Sequence, residues 1–215
     1  MKIILLFFLG ASLGSFLGVV IDRFPERSIL FPASHCNHCK RPLKAWDLIP
    51  IISQLSTRSK CRYCGLKFSY WYLLLEATAG LLVVIVSMGS LSLVTACVVL
   101  AGTVISIYDI KHREYPFLVW AIFTALAVLL SALNLHFLLF LFLAYLAEKY
   151  PLRIGSGDLL YLASLSLIFP IIDLLWIIQI SSVAGIFAII SLNLRKSPLP
   201  FIPFLVFASL LLLLL

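Results

Sequence analysis

The apolar runs of this chain limit its fold more than any motif in it. They are Ile3–Ile21, Tyr70–Met88, Leu91–Tyr108, Pro116–Leu133, Leu135–Ala147, Leu159–Phe169, Leu174–Leu192 and Phe201–Leu215. A helix needs roughly 20 apolar residues to cross a bilayer, with about 17 as the lower limit. Hydrophobic residues make up 63% of the chain, where a soluble domain stays nearer a half. The expectation is an all-α polytopic membrane protein with about eight transmembrane helices. The fifth and sixth runs are short, so they are expected to be tilted, re-entrant or buried inside the bundle. The first run has no Ala-x-Ala-like cleavage site and is followed by Arg23 and Pro25. It reads as a retained helix, not a removed signal.

Basic residues set the orientation. Of 16 Lys and Arg residues, nine lie between Asp22 and Tyr70, and pairs follow at Lys111/Arg113, Lys149/Arg153 and Arg195/Lys196. Eight crossings with the N-terminus outside put all four clusters in the cytosol, which is what the positive-inside rule requires. The net charge of +7 then records topology, and no nucleic-acid partner is needed to explain it. Three parts follow: residues 1–21 as a first transmembrane helix, 22–69 as a cytosolic loop, and 70–215 as a transmembrane bundle. The loop is too short to build a core unaided.

That loop carries its own staple. Cys36 and Cys39 form one Cys-x-x-Cys knuckle, and Cys61 and Cys64 form a second. The spacing matches a zinc ribbon. Disulfides are the competing reading, but a cytosolic loop keeps its thiols reduced. Four thiolates fill a tetrahedral shell and leave no position for water, so a structural zinc is expected. His35 and His38 flank the first knuckle and could replace a ligand, but they read first as solvent-facing residues.

Two aspartates complete the pattern. Asp109 stands at the cytosolic end of the third run, and Asp158 at the cytosolic start of the sixth, behind Gly155 and Gly157. Two crossings separate them, so the topology drawn from Lys and Arg alone returns both carboxylates to one membrane face. A carboxylate in an apolar segment is expensive and marks a functional site by default. Two that meet can share a proton. One then acts as general base on a water while the other polarises a carbonyl, with no metal or cofactor required. Asp158, near a helix N-terminus, is favoured as the anion, although coupled groups can exchange roles. The competing reading makes Asp109 an interfacial partner of Lys111 or Arg113, and Asp158 a helix cap.

The stretch "GSGD", Gly155 to Asp158, matches the Gly-x-Gly-Asp motif of intramembrane aspartyl proteases. Asp109 with Tyr115–Pro116 after it, the opening "GSFLGVVIDRFP" and the paired cysteine knuckles together resemble the bacterial prepilin peptidases, the type IV leader peptidases. Glu76, after the knuckles, fits the same pattern. The resemblance runs in order along nearly the whole chain. It implies cleavage of the basic leader from type IV prepilin or pseudopilin precursors at the cytosolic face of the bacterial plasma membrane, with Asp109 and Asp158 catalytic. Many members also methylate the new N-terminus with S-adenosylmethionine. Leu160 stands where the family often has Lys, and Tyr115 where Ile or Leu is usual. No glycine-rich cradle for S-adenosylmethionine is visible.

Glu76 is read either as a holder of the substrate amine for methyl transfer or as the partner of a basic loop residue. Two rival functions remain at this stage. Intramembrane carboxylates also serve ion- or proton-coupled transporters. A non-catalytic scaffold presenting a zinc-bound loop would account for the cysteines but leave both aspartates idle.

Overall fold

The computed structural model describes residues 1–150, 154–191 and 199–214. Among these residues the fold is all-helical: α1 Lys2–Arg23, α2 Ile52–Thr57, α3 Trp71–Ser87, α4 Leu93–His112, α5 Phe117–Leu130, α6 Leu135–Lys149, α7 Ser156–Leu165, α8 Ile171–Ser191 and α9 Ile202–Leu214. A 3-10 turn at Ala45–Leu48 precedes α2. Each of the eight apolar runs corresponds to one helix, and α2 is an addition that no apolar run announced. By length and composition α1, α4 and α8 are each able to cross a membrane, and α3, α5 and α9 are shorter apolar helices. The ten residues of α7 rise about 15 Å, half of a hydrocarbon core roughly 30 Å thick. Alone it does not reach across. Arg153, Arg195, Lys196 and the ends of the last two runs, Leu192 and Leu215, lie outside the described residues.

The chain divides into two compact units, Met1–Leu91 and Ser92–Leu215, so α3 groups with α1 and the loop. Within the first unit α1 packs along α3, and the contact face of α1 is written in small residues. Gly10, Gly14 and Gly18 recur every fourth position and are all buried, with Ala11, Leu17 and Ile21 beside them. A β-carbon added at Gly14 would stand 2.8 Å from the Glu76 Cα and the Leu75 carbonyl oxygen. Small residues at this period let two helix backbones meet closely, which is how helices associate where lipid removes the hydrophobic drive. The opposite face of α1 exposes Ile4, Leu5, Leu9 and Phe16, as a lipid-facing surface would.

In the second unit α4 is the central helix. Buried residues make up 72% of its apolar core segment, against 22% for α8. It packs on α5, α7 and α9. The core gathers Val98, Ile105, Trp120, Tyr161, Leu165 and Leu205. Polar links fix the short α7 among its neighbours. Trp120 Nε1 donates to Ser164 Oγ at 2.8 Å, and the hydroxyls of Thr124 and Ser164 lie 2.9 Å apart. Asn134 caps α6 by accepting from the Phe137 N–H, and its amide donates to the Ser166 carbonyl just past α7.

Candidate active site and metal centre

In the first unit the two knuckles are built alike. The Lys40 N–H donates to the Cys36 carbonyl and the Gly65 N–H to that of Cys61, both at 2.9 Å. Each turn needs a residue of positive φ: Lys40 at 57° in the first and Gly65 at 71° in the second. Isolated bridges, His35 to Pro42 and Lys60 to Lys67, close both at the same offset. The result places Cys36, Cys39, Cys61 and Cys64 with all four sulfurs within 4.8 Å of one another, so the cluster could hold a metal ion. His35 turns away, its Nδ1 2.9 Å from the Ala33 carbonyl oxygen.

The thiols perturb one another. Burial opposes ionisation of Cys36, but the backbone N–H groups of Cys39 and His38 and the nearby thiols of Cys61 and Cys39 outweigh it and bring the thiol down to about 7. At Cys64 the Leu66 backbone hydrogen bond favours the anion, but desolvation and the other three cysteine side chains overcome it and push that thiol up to about 11. All four could be thiolates together only with a cation between them.

Around the cluster, Arg23 and Glu76 tie the loop to the helices. Arg23, at the end of α1, points its guanidinium at backbone carbonyls of the loop, the shortest contact being Pro32 at 2.7 Å. Arg62 pairs with Asp47 at 2.5 Å, which links the second knuckle to the 3-10 turn. Glu76 accepts from the Ile51 N–H at 2.8 Å and from the Gln54 amide at 3.1 Å. Its loop partners are therefore neutral donors, not the basic side chain that one of its two readings called for. Tyr72, one helical turn before Glu76, donates to Asp22. That i, i+4 spacing on α3 was a signal available in the sequence. Between these groups lies a cavity of about 550 Å³ whose wall includes Asp22, Arg27, Lys40, Tyr72 and Glu76.

In the second unit Asp109 belongs to the last turn of α4, which ends at His112 with Arg113 in the left-handed conformation. The apolar run stopped at Tyr108, but the helix continues one turn further. Asp109 Oδ2 accepts the backbone N–H of Ile202 at 3.3 Å, the first residue of α9. Asp158 lies in the first turn of α7, three residues after its N-cap Gly155. A β-carbon at Gly155 would stand 2.7 Å from Asp158 Oδ2, so the carboxylate folds back over the helix start. Both aspartates thus address a helix N-terminus, where partial positive charge favours an anion. With α4 packed on α7, the Asp109 carboxylate acts electrostatically on Asp158. Tyr115 also joins this group: its Cγ would stand 2.8 Å from a β-carbon at Gly157.

The family described as Bacterial Peptidase A24 N-terminal domain matches residues 8–89. A relative from Bacillus subtilis, named prepilin leader peptidase/N-methyltransferase, is 32% identical over 93% of this chain and 88% of its own length. The chain belongs to the prepilin leader peptidase family. A Myxococcus xanthus prepilin leader peptidase/N-methyltransferase is 45% identical over 37% of this chain and 24% of its own length. An Escherichia coli relative, a type 4 prepilin-like proteins leader peptide-processing enzyme, is 30% identical over 50% of this chain and 48% of its own length. The chain therefore spans under half of those two relatives. No solved structure matches it. Among prepilin peptidases the transporter and scaffold readings have no support.

Proposed function

We propose that this chain is a membrane aspartyl endopeptidase that removes the basic leader from type IV prepilin or prepilin-like precursors. The observation that carries the reading is the similarity to the Bacillus subtilis prepilin peptidase along 93% of the chain. The geometry of the second unit supplies a chemical route. Asp109 and Asp158 act as the catalytic pair and share one proton. The ionised member takes a proton from a water as its oxygen attacks the scissile carbonyl, and the protonated member donates to the carbonyl oxygen. Collapse of the tetrahedral species breaks the C–N bond: the leaving amine takes the proton that came from water, and a hydroxyl of the intermediate returns its proton to the other aspartate, so the pair again holds one proton. The missing β-carbons at Gly155 and Gly157 admit the Asp158 carboxylate and the Tyr115 ring against the start of α7.

With the N-terminus outside and the basic clusters in the cytosol, this pair would lie at the cytosolic face of the plasma membrane. A precursor would leave its basic leader in the cytosol and its apolar helix in the bilayer, with the scissile bond between them. In this arrangement residues 22–69 are the cytosolic loop and 70–215 carry the protease bundle.

The cysteine cluster suits a structural zinc. A tetrahedral site with Zn–S near 2.3 Å requires sulfurs about 3.8 Å apart; Cys36 to Cys64 is 3.8 Å and Cys39 to Cys61 is 3.9 Å. S-adenosylmethionine suits the cavity beside the cluster in volume, since small-molecule sites run about 300–1,000 Å³. Asp22 and Glu76 would face its cationic groups, Arg27 and Lys40 its carboxylate, and the bound group would supply the methyl for the new amine.

The test is co-expression in membranes with a prepilin-type precursor whose intact mass is read. Wild type should remove the leader, while Asp109→Asn and Asp158→Asn at equal expression should leave it. Cleavage that survives either substitution overturns the aspartyl mechanism. An added ~14 Da on the product reports the methyl group carried by the cofactor.

A further inference from the structure

The Tyr115 ring is placed against the glycine that precedes Asp158. Its position is set by local backbone. Pro116, at φ −77° and ψ 78°, forms an inverse γ-turn, closed by the Phe117 N–H donating to the Tyr115 carbonyl at 2.8 Å. That turn swings the ring onto the first turn of α7. The Tyr115 Cγ and Cε2 would stand 2.8 and 3.1 Å from a β-carbon at Gly157. Only a glycine at 157 admits the ring there.

The end of the ring is the informative part. The Tyr115 hydroxyl is buried and has no hydrogen-bond partner among the described residues. Burial, followed by the nearby Tyr161 and Asp158, pushes the phenol up, so it stays a protonated donor. A buried donor without an acceptor is costly, and native proteins rarely keep one without a use. Asp158 and Tyr161 are close enough to act on it electrostatically, yet neither accepts from it. The missing acceptor must therefore arrive with something else, and the group that Asp158 works on in the reading above is a peptide carbonyl.

Resting on the aspartyl reading, we propose that Tyr115 is a third catalytic residue, whose hydroxyl donates a hydrogen bond to the scissile carbonyl oxygen as charge develops there. No proton is transferred by Tyr115. The hydroxyl stabilises the partial negative charge on that oxygen in the transition state while the aspartates exchange the protons. Gly157 is then needed as the seat of this ring.

Tyr115→Phe removes the hydroxyl and keeps the ring. In the full-length enzyme in detergent or membranes, kcat should fall ~10- to 100-fold, with KM within about twofold and an unchanged Tm. Two peptide mimics of the cleavage site separate this from a packing role. One carries a hydroxyl at the scissile position, and the other is a reduced amide with no oxygen there. The first should bind Tyr115→Phe about tenfold more weakly than wild type, and the second equally well. A Tyr115→Phe enzyme with wild-type kcat overturns the proposal. Equal weakening of both mimics does so as well. Asp109→Asn is run beside it: if that variant still cleaves, the aspartyl reading itself has failed and takes this inference with it. An inactive Asp109→Asn beside a fully active Tyr115→Phe sinks only the role of Tyr115.

Discussion

The Ile202 backbone N–H and the Asp109 carboxylate, 93 positions apart in the chain, meet at 3.3 Å and join the end of α4 to the start of α9. One side chain is therefore both half of the proposed catalytic pair and the anchor of a helix. The two roles can be separated by substitution.

Asp109→Asn keeps an acceptor for the Ile202 N–H and removes the acid. It should fold with a Tm close to wild type and show no leader removal. Asp109→Leu loses the acceptor too, and leaving that N–H unpaired should cost about 1–3 kcal/mol. Thermal unfolding of the two purified proteins, set beside the cleavage assay, checks this. A Leu variant as stable as the Asn variant would show that the anchor contributes nothing.

Glu76 allows a similar separation in the first unit. Glu76→Gln still offers a carbonyl oxygen to the Ile51 N–H and the Gln54 amide, whereas Glu76→Ala offers nothing and should cost about 1–3 kcal/mol. Limited trypsin digestion at Arg58 and Lys60 should be faster in the Ala variant only. If methyl transfer uses the negative charge, Gln should remove the added methyl while leader cleavage continues. Full methylation by the Gln protein would reduce Glu76 to a loop fastener.

The paired knuckles predict opposite responses at matched positions. Gly65→Ala forces a β-carbon into the left-handed region, at about 1–2 kcal/mol. Lys40→Gly relieves the corresponding strain in the first knuckle. Metal retention against a graded chelator should thus weaken in the first variant and strengthen in the second. Identical curves would mean that the turns do not limit the site.

Metal content is a direct measurement. Elemental analysis should find one zinc per chain, and Cys36→Ser should lower that figure while exposing the loop to trypsin. A fully trypsin-resistant loop after complete metal removal would show that Arg23, Asp47 and Glu76 hold it unaided.

The crossing of α1 and α3 has no slack at Gly14. A leucine there must push the helices apart, and overpacking of this kind costs roughly 1–3 kcal/mol. Reduced yield and a lowered Tm for Gly14→Leu, with Ser12→Leu on the same helix as the exposed control, would establish the close approach.

Much of this was legible in the chain because the relevant physics is local. Apolar runs of fixed length gave helices where they were drawn, and Cys-x-x-Cys pairs gave two knuckles, since each closes within a few residues. Counting crossings gave the expectation that Asp109 and Asp158 share one membrane face. What escaped the sequence depends on long-range meetings. Nothing near Ile202 says that its N–H will find Asp109. Nothing in "KHREYP" says that Tyr115 will rest on Gly157, and the opening of the loop does not reveal its carbonyls gathered round Arg23. The unexpected neutral partners of Glu76 have the same origin. A search for charge complementarity looks for a lysine or arginine, while a backbone N–H on a short helix such as α2 carries no mark in the letters.

The likeness of the two knuckles also bears on the order in which the loop forms. Each is closed by bonds spanning four or five residues, Cys36 to Lys40 and Arg41, Cys61 to Gly65 and Leu66. Contacts that short form in microseconds or less, because almost no chain entropy is lost in making them. The junction between Cys36 and Cys64 spans 28 residues and has a larger closure entropy to overcome. The loop is therefore two quickly made halves with one slow seam, and on the proposed zinc reading the ion that stitches the seam would decide when the loop is finished.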